Sequence, residues 1–426
     1  MKSTFLSCAG LLALSGPLMA SGLYSASNLY FMGEDAAESI PIKWSVGLDL
    51  IWDDNVNPTL MPGTIGFEDS GTALNPFVEA AFVSVSPQTT MDLYARLGLL
   101  YYFDKPAGMG DDTYSDSKVG FNLTHRFNER VRFVTRNYVS YALEPDYSSG
   151  FANNRLNSEY LYYSTDNSIG VRWTERFATY TGFRITDINY DDFYAADSQD
   201  RFTWMIYNDF RYQLSPQTLL TASYRYSETD AGGIANDSTN QYVLAGVEYR
   251  FSPNTVGILR GGAQFREVDG IGGEDSTNPY FEAMLRSQIN EQFGVRGFLR
   301  YGIEDYDTVY PGIVLGLPVG SVEFDERAVL RIGVSGDYAI TPRFRVFGGV
   351  NYIYSNYDSA RITFPVNVPL GINPEENLLN LYVGMSMQLT DWLYANASYN
   401  FTNSDSDILN RDYDRNRISV GMRAEF

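Results

Sequence analysis

Residues Tyr212–Tyr226 read YQLSPQTLLTASYRY, and from Tyr249 the chain reads YRFSPNTVGILRGGAQF. In both, an alternating run breaks at Ser-Pro and a second alternating run begins at once. A Ser, Thr or Asn side chain bonds to nearby backbone and Pro fixes φ, so each break reads as a tight hairpin. The same pattern, an apolar residue followed by Ser, Thr or Asn and then Pro, Glu or Asp, occurs at eight places. They are Ser86-Pro87, Asn128-Glu129, Thr174-Glu175, Ser215-Pro216, Ser252-Pro253, Asn290-Glu291, Thr341-Pro342 and Thr390-Asp391.

The flanks of these breaks alternate with period two. After the first come Met91, Leu93, Ala95, Leu97, Leu99, Tyr101 and Phe103, interleaved with Asp92, Tyr94, Arg96, Gly98, Leu100 and Tyr102. Successive strand side chains point to opposite faces, so each run has an apolar face and a mixed one. Runs of about ten such residues are the mark of a transmembrane strand. Eight hairpins give sixteen strands, and the runs Trp44–Trp52 and Ile418–Phe426 bring the sum to about eighteen. The fold expected is all-β, an antiparallel up-and-down transmembrane barrel with short periplasmic turns. The long polar connections, such as Asp53–Thr72, Glu144–Ser158, Ser227–Asn240 and Asn403–Asn416, are its extracellular loops. In the second strand two registers stay open: Phe77, Ala81, Val83 and Val85 face lipid with Glu79 among them, or a shift near Pro76 turns Glu79 inward.

Composition agrees. The 426 residues are 44% hydrophobic and 15% aromatic, with net charge -21, which excludes a disordered chain and a basic nucleic-acid binder. Beyond the extreme N-terminus no run approaches the ~20 apolar residues of a spanning helix. Met1-Lys2, the apolar stretch Phe5–Leu18 and Leu18-Met19-Ala20 read as a secretory signal over residues 1–20. It contains Cys8, the only cysteine. Residues 21–41 form a short periplasmic segment, and 42–426 the barrel. The destination is the outer membrane of a Gram-negative-type bacterium, where lipid and lipopolysaccharide surround the barrel and oligomeric state is open, a homo-oligomer included. The chain closes on a strand ending in Phe426, which resembles the signal read by the outer-membrane assembly machinery.

With the apolar set facing lipid, the complementary set lines the lumen: Arg96, Arg132, Arg136, Arg211, Arg225, Arg260, Arg286, Arg296, Arg300, Arg331 and Arg345, with Tyr94, Tyr102 and Tyr138. Two readings of that face remain. Charge is excluded from lipid, where an arginine costs about 2–4 kcal/mol at the midplane, or arginine forks guide anionic and sugar solutes. Two loop stretches are unusually apolar: one carries Val309, Ile313, Leu315 and Leu317, the other Phe364, Val366, Val368 and Leu370. Such stretches seldom stay in water, so they are expected to constrict or cap the mouth, to pack on each other, or to meet a partner.

Catalysis finds little support. His125 is the only histidine, on the lipid-facing set near a periplasmic turn, which excludes sites needing two histidines. No enzyme activity, metal or cofactor is expected.

The first strand, Trp44-Ser45-Val46-Gly47-Leu48-Asp49-Leu50-Ile51-Trp52-Asp53-Asp54-Asn55, with tyrosine-rich Ser-Pro hairpins and a terminal Phe, resembles the outer-membrane proteins grouped as β-barrel porin 2, over roughly 42–426. The resemblance implies a porin-like channel passing small hydrophilic solutes, or a barrel serving surface or exopolysaccharide export. A scaffold that binds partners through its acidic loops is the further alternative.

Overall fold

The computed structural model describes residues 40–58, 70–105, 110–147, 158–191, 199–233, 235–269, 275–305, 308–314, 317–324, 326–358, 360–362, 368–369, 371–408 and 411–426. Residues 1–20, expected to be a secretory signal, and nearly all of the expected periplasmic segment 21–41 lie outside these residues.

The strands are β1 (Ile40–Asp53), β2 (Gly71–Val85), β3 (Thr89–Tyr102), β4 (Thr113–Arg126), β5 (Val131–Ala142), β6 (Tyr160–Arg172) and β7 (Phe177–Tyr190). Next come β8 (Arg201–Gln213), β9 (Thr218–Ala231), β10 (Ser238–Ser252), β11 (Thr255–Val268), β12 (Ser276–Gln288), β13 (Phe293–Ile303), β14 (Val309–Val314) and β15 (Leu317–Glu323). The last are β16 (Glu326–Thr341), β17 (Phe344–Asp358), β18 (Arg361–Ile362), β19 (Val368–Pro369), β20 (Glu375–Gln388), β21 (Leu393–Ser406) and β22 (Tyr413–Glu425). All but β14, β15, β18 and β19 join one antiparallel sheet of 18 strands, and β1 pairs with β22 to close it into a ring. Reciprocal backbone bonds between Trp44 and Phe426 extend that seam. Closure leaves no sheet edge, the condition for a strand structure in lipid.

Every one of the eight sequence breaks is a short turn, and each pivot side chain accepts a backbone N–H beyond it. Ser86 takes Thr89, Asn128 takes Val131, Thr174 takes Phe177 and Ser215 takes Thr218. Ser252 takes Asn254, Asn290 takes Phe293, Thr341 takes Arg343 and Thr390 takes Leu393.

The outer surface is an apolar belt. Trp44, Val46, Leu48, Leu50 and Trp52 of β1, Leu97 and Leu99 of β3, and Ile418, Val420 and Met422 of β22 are all exposed. Phe127, Trp173, Phe251 and Trp392 sit exposed beside the short turns, as an interfacial girdle does. His125 lies among them, hydrogen-bonded through Nδ1 to Thr89 Oγ1 at 2.8 Å and edge-on to Phe127.

Two features differ from expectation. The strands run past the belt: β9 continues to Ala231 and β10 begins at Ser238, inside a stretch read as loop. Backbone pairing needs a partner strand and not an apolar face, so polar hairpins continue the ladder into water. In β2 Glu79 turns inward, as the second alternative has it, but without a register shift near Pro76. Its pairing with β3 keeps one register from Ala73↔Tyr102 to Val85↔Thr90, and Phe77, Glu79 and Ala81 all face inward while Val78 faces out. The charge decides: Glu79 has cationic partners only inside, and strict alternation takes Phe77 and Ala81 with it. Gly47 makes room, since a Cβ there would lie 2.1 Å from the Phe77 ring.

Candidate functional site: the barrel interior

Most inward arginines are paired to carboxylates on other strands of the wall. Arg96 lies between Glu79, at 2.9 Å, and Asp116, at 3.1 Å, with its guanidinium carbon 3.8 Å from the centre of the Phe77 ring. Arg423 approaches Glu79 from the far side of β1, at 3.5 Å. Arg184 binds Asp166 at 2.7 Å, and the Tyr207 hydroxyl donates to the same carboxylate. Arg211 pairs with Glu248, while Arg225 and Arg260 share Glu282 at 3.1 and 2.6 Å. A buried arginine must find such partners: Arg96, Arg184 and Arg260 find one at the facing position of the adjacent strand, while Arg211, Arg225 and Arg423 reach carboxylates two or three strands away.

The residues expected at the lumen thus divide. Arg96, Arg211, Arg225, Arg260 and Arg331 are buried and ion-paired, and Arg300 is half-buried against Glu304. Arg132, Arg136, Arg296 and Arg345 are half-buried, and Arg286 is exposed near the short-turn end. Tyr138 is buried with Tyr94, Tyr160 and Tyr162, and Tyr102 packs with Tyr114 and Leu143. These tyrosines are covered by neighbouring side chains.

Two chain segments leave the wall and enter the ring. The first, residues 143–147, follows β5. Leu143 is buried against Ile51, Leu100 and Tyr102, and the Glu144 carboxylate accepts from Arg415 on β22 at 2.8 and 3.0 Å, with Arg417 at 3.3 Å. Arg415 also holds Asp53. Tyr147 then packs on Val329 of β16, Ile353 of β17 and Leu378 of β20, the side of the ring opposite β5. Burial raises its hydroxyl above the usual phenol range. The segment therefore spans the interior from wall to wall.

The second begins where β13 ends. Burial disfavours the Glu304 carboxylate, but Arg331 and Arg300 outweigh that and hold it at about 2. Arg331 Nη2 is 2.6 Å from its Oε2, and Arg327 approaches at 3.8 Å. Asp305 reaches the wall beyond β12: it accepts from Arg266 Nε at 3.0 Å, Ser238 Oγ at 2.9 Å and Asn240 Nδ2 at 3.0 Å. Arg201 Nε donates to the Asp305 carbonyl at 2.9 Å, and Gln199 donates to the Val309 carbonyl at 2.8 Å. Val309, expected at a constriction, is fully buried here.

The rest of the apolar loops behaves differently. β14 pairs with β15, β15 with β18 and β18 with β19, so strands from the two loops pack on each other as one small four-stranded sheet, separate from the ring. Ile313, Leu317 and Val368 lie on its strands, whereas Leu315, Phe364, Val366 and Leu370 fall outside the described residues. Glu144, Tyr147, Glu304 and Asp305 were not legible as interior residues, because nothing in a polar loop announces a partner on the far wall. Among the described residues no group of three or more His, Cys, Asp or Glu is gathered as a metal site.

Neither a family model nor a curated protein matches the chain. Solved structures do. OpdK of Pseudomonas aeruginosa, solved with vanillate, is 12% identical with a TM-score of 0.43, covering 90% of this chain and 99% of that one. OccAB4 of Acinetobacter baumannii is 12% identical with a TM-score of 0.45, covering 91% and 99%. OccK9 (OpdG) of Pseudomonas aeruginosa is 11% identical with a TM-score of 0.45, covering 90% and 98%. At these identities and scores the likeness adds no argument to the strand pairing above.

Proposed function

We propose that the protein is an outer-membrane channel for small hydrophilic solutes, its passage narrowed by residues 143–147 and by Glu304, Asp305, Thr308 and Val309. The observation that carries this reading is a closed ring of 18 strands with an apolar belt outside and charged side chains inside. An apolar exterior matches lipid, and a ring of this size is wide enough for an aqueous path unless filled. On this reading the short turns face the periplasm and the long loops face outward. A secretory signal over 1–20, entry into the membrane through the Phe426 strand, and lipopolysaccharide around the loops belong to the same proposal. Arg132, Arg136, Arg286, Arg296 and Arg345 are the arginines assigned to meet solute; the buried ion-paired ones hold the wall.

Single-channel recording of the refolded protein in a planar bilayer tests the proposal. Stable conductance steps support it, and a folded barrel that never conducts overturns it. The small sheet of β14, β15, β18 and β19 favours a second reading, a barrel that binds a partner or serves polysaccharide export. That reading predicts silence alone, and conductance once 309–319 is deleted.

A further inference from the structure

The ladder between β12 and β13 ends early. β12 stays paired to β11 as far as Ser276↔Arg266, but its pairing to β13 stops at Phe281↔Tyr301. The stretch that loses its partner contains Pro279, which has no backbone N–H to give to a ladder. On its other side β13 remains paired to β16 through Ile303↔Ala328. Ile303 is thus left with backbone groups that β12 does not satisfy, and a buried unpaired peptide group is costly.

Gln264 takes the place of the missing strand. It stands on β11, one strand beyond β12, fully buried. Its Oε1 accepts the Ile303 N–H at 2.9 Å and its Nε2 donates to the Ile303 carbonyl at 3.1 Å, the two bonds a neighbouring peptide would make. The same Nε2 lies 2.8 Å from Asn240 Oδ1, leaving the Asn240 Nδ2 to donate to Asp305 at 3.0 Å. One side chain amide therefore fixes the end of β13 and, through Asn240, the carboxylate that follows. Gly302 permits the approach: a Cβ there would sit 2.7 Å from the Tyr280 ring and 3.1 Å from Gln264 Oε1.

We infer that Gln264 is the positioning residue that turns the end of β13 into the lumen, so that it, together with the break at Pro279, sets the width and charge of the passage. This rests on the channel reading. It goes beyond wall packing because it demands an amide of this length: asparagine, one methylene shorter, cannot span β12, and leucine fills the volume without either bond.

The test uses the full chain with Cys8→Ser and a reporter, Thr308→Cys, at a position now buried in the inward segment. Folding of each variant is checked by its gel mobility before and after heating. Reaction with a membrane-impermeant maleimide is timed with Gln264, Q264N and Q264L, and single-channel conductance and reversal potential are recorded for the same variants without the reporter. The expected result is labelling about tenfold faster in Q264N and Q264L, the size set by losing a pair of hydrogen bonds, with larger conductance and altered ion preference. Labelling and conductance equal to those with Gln264 in a folded variant overturn the inference while leaving the channel intact. If Q264L fails to fold, Q264N alone decides. If no variant conducts, the channel reading falls, and the labelling rates still decide what positions the segment.

Discussion

At the scale of the residue, the interior is a set of charge pairs whose loss is asymmetric. Arg96 is the common partner of Glu79 and Asp116, with Asp49 at 3.9 Å. Arg96→Met would remove the cation that Glu79, Asp116 and Asp49 share, leaving Glu79 to Arg423 alone, and the expected cost of breaking this buried cluster is about 3–5 kcal/mol. A lowered denaturant midpoint for the folded, unheated form on gels checks it. Gly47→Val forces a branched side chain into the Phe77 ring, and overpacking of this kind costs about 1–3 kcal/mol. Glu304 gives a pH signature. Its folded pKa, about 2, lies below the ordinary carboxylate value, so its contribution is complete above that ordinary value and is lost as pH falls towards 2. The difference in unfolding temperature between the parent and Glu304→Gln should be constant from pH 7 to 5, then shrink below about 4.5. A difference that grows on acidification would contradict the assignment.

At the scale of the element, the wall and the inward segments obey different rules. A wall strand is fixed by two neighbours along its whole length, while 143–147 is held at its crossing by a few side chains. Glu144→Gln weakens the grip of Arg415 and Arg417, an interaction of about 1.5–3 kcal/mol for hydrogen bonds between charged groups. The expected outcome is a channel with larger conductance or frequent transitions between levels, and with unchanged barrel stability. An unaltered single-channel record would show that the segment does not narrow the path. The small sheet is a third kind of element, made from two loops that neither join the ring nor remain irregular.

At the scale of the whole molecule, charge is distributed along the axis. Exposed carboxylates such as Asp111, Asp191, Asp237, Asp275, Glu375, Asp405 and Asp412 stand at the long-loop end. Exposed arginines such as Arg126, Arg130, Arg172, Arg176, Arg250 and Arg343 stand beside the short turns, with Glu129, Glu175 and Glu291 among them. An acidic mouth raises the local concentration of cations, and salt screens it, the Debye length falling from about 10 Å at 0.1 M to about 3 Å at 1 M. A reversal potential favouring cations at low salt should therefore fade at 1 M. A preference unchanged by salt would place the selective charges deep in the lumen, beside Glu304 and Asp305.

The sequence by itself determined the wall. Turn chemistry is local and alternation is a property of neighbours, so eight pivots and their flanking runs were enough to give 18 strands, their direction and the identity of the lipid face. Even the exception in β2 obeys alternation, once the inward demand of Glu79 for Arg96 and Arg423 is seen. Only the tertiary structure decided what stands inside the ring. Which carboxylate neutralises which arginine, that Glu144 reaches β22 and Tyr147 reaches β16, and that Gln264 catches Ile303 across β12 all depend on how the strands are set around the ring. Closure brings together residues far apart in the chain, and no local periodicity encodes a contact made across an enclosed space.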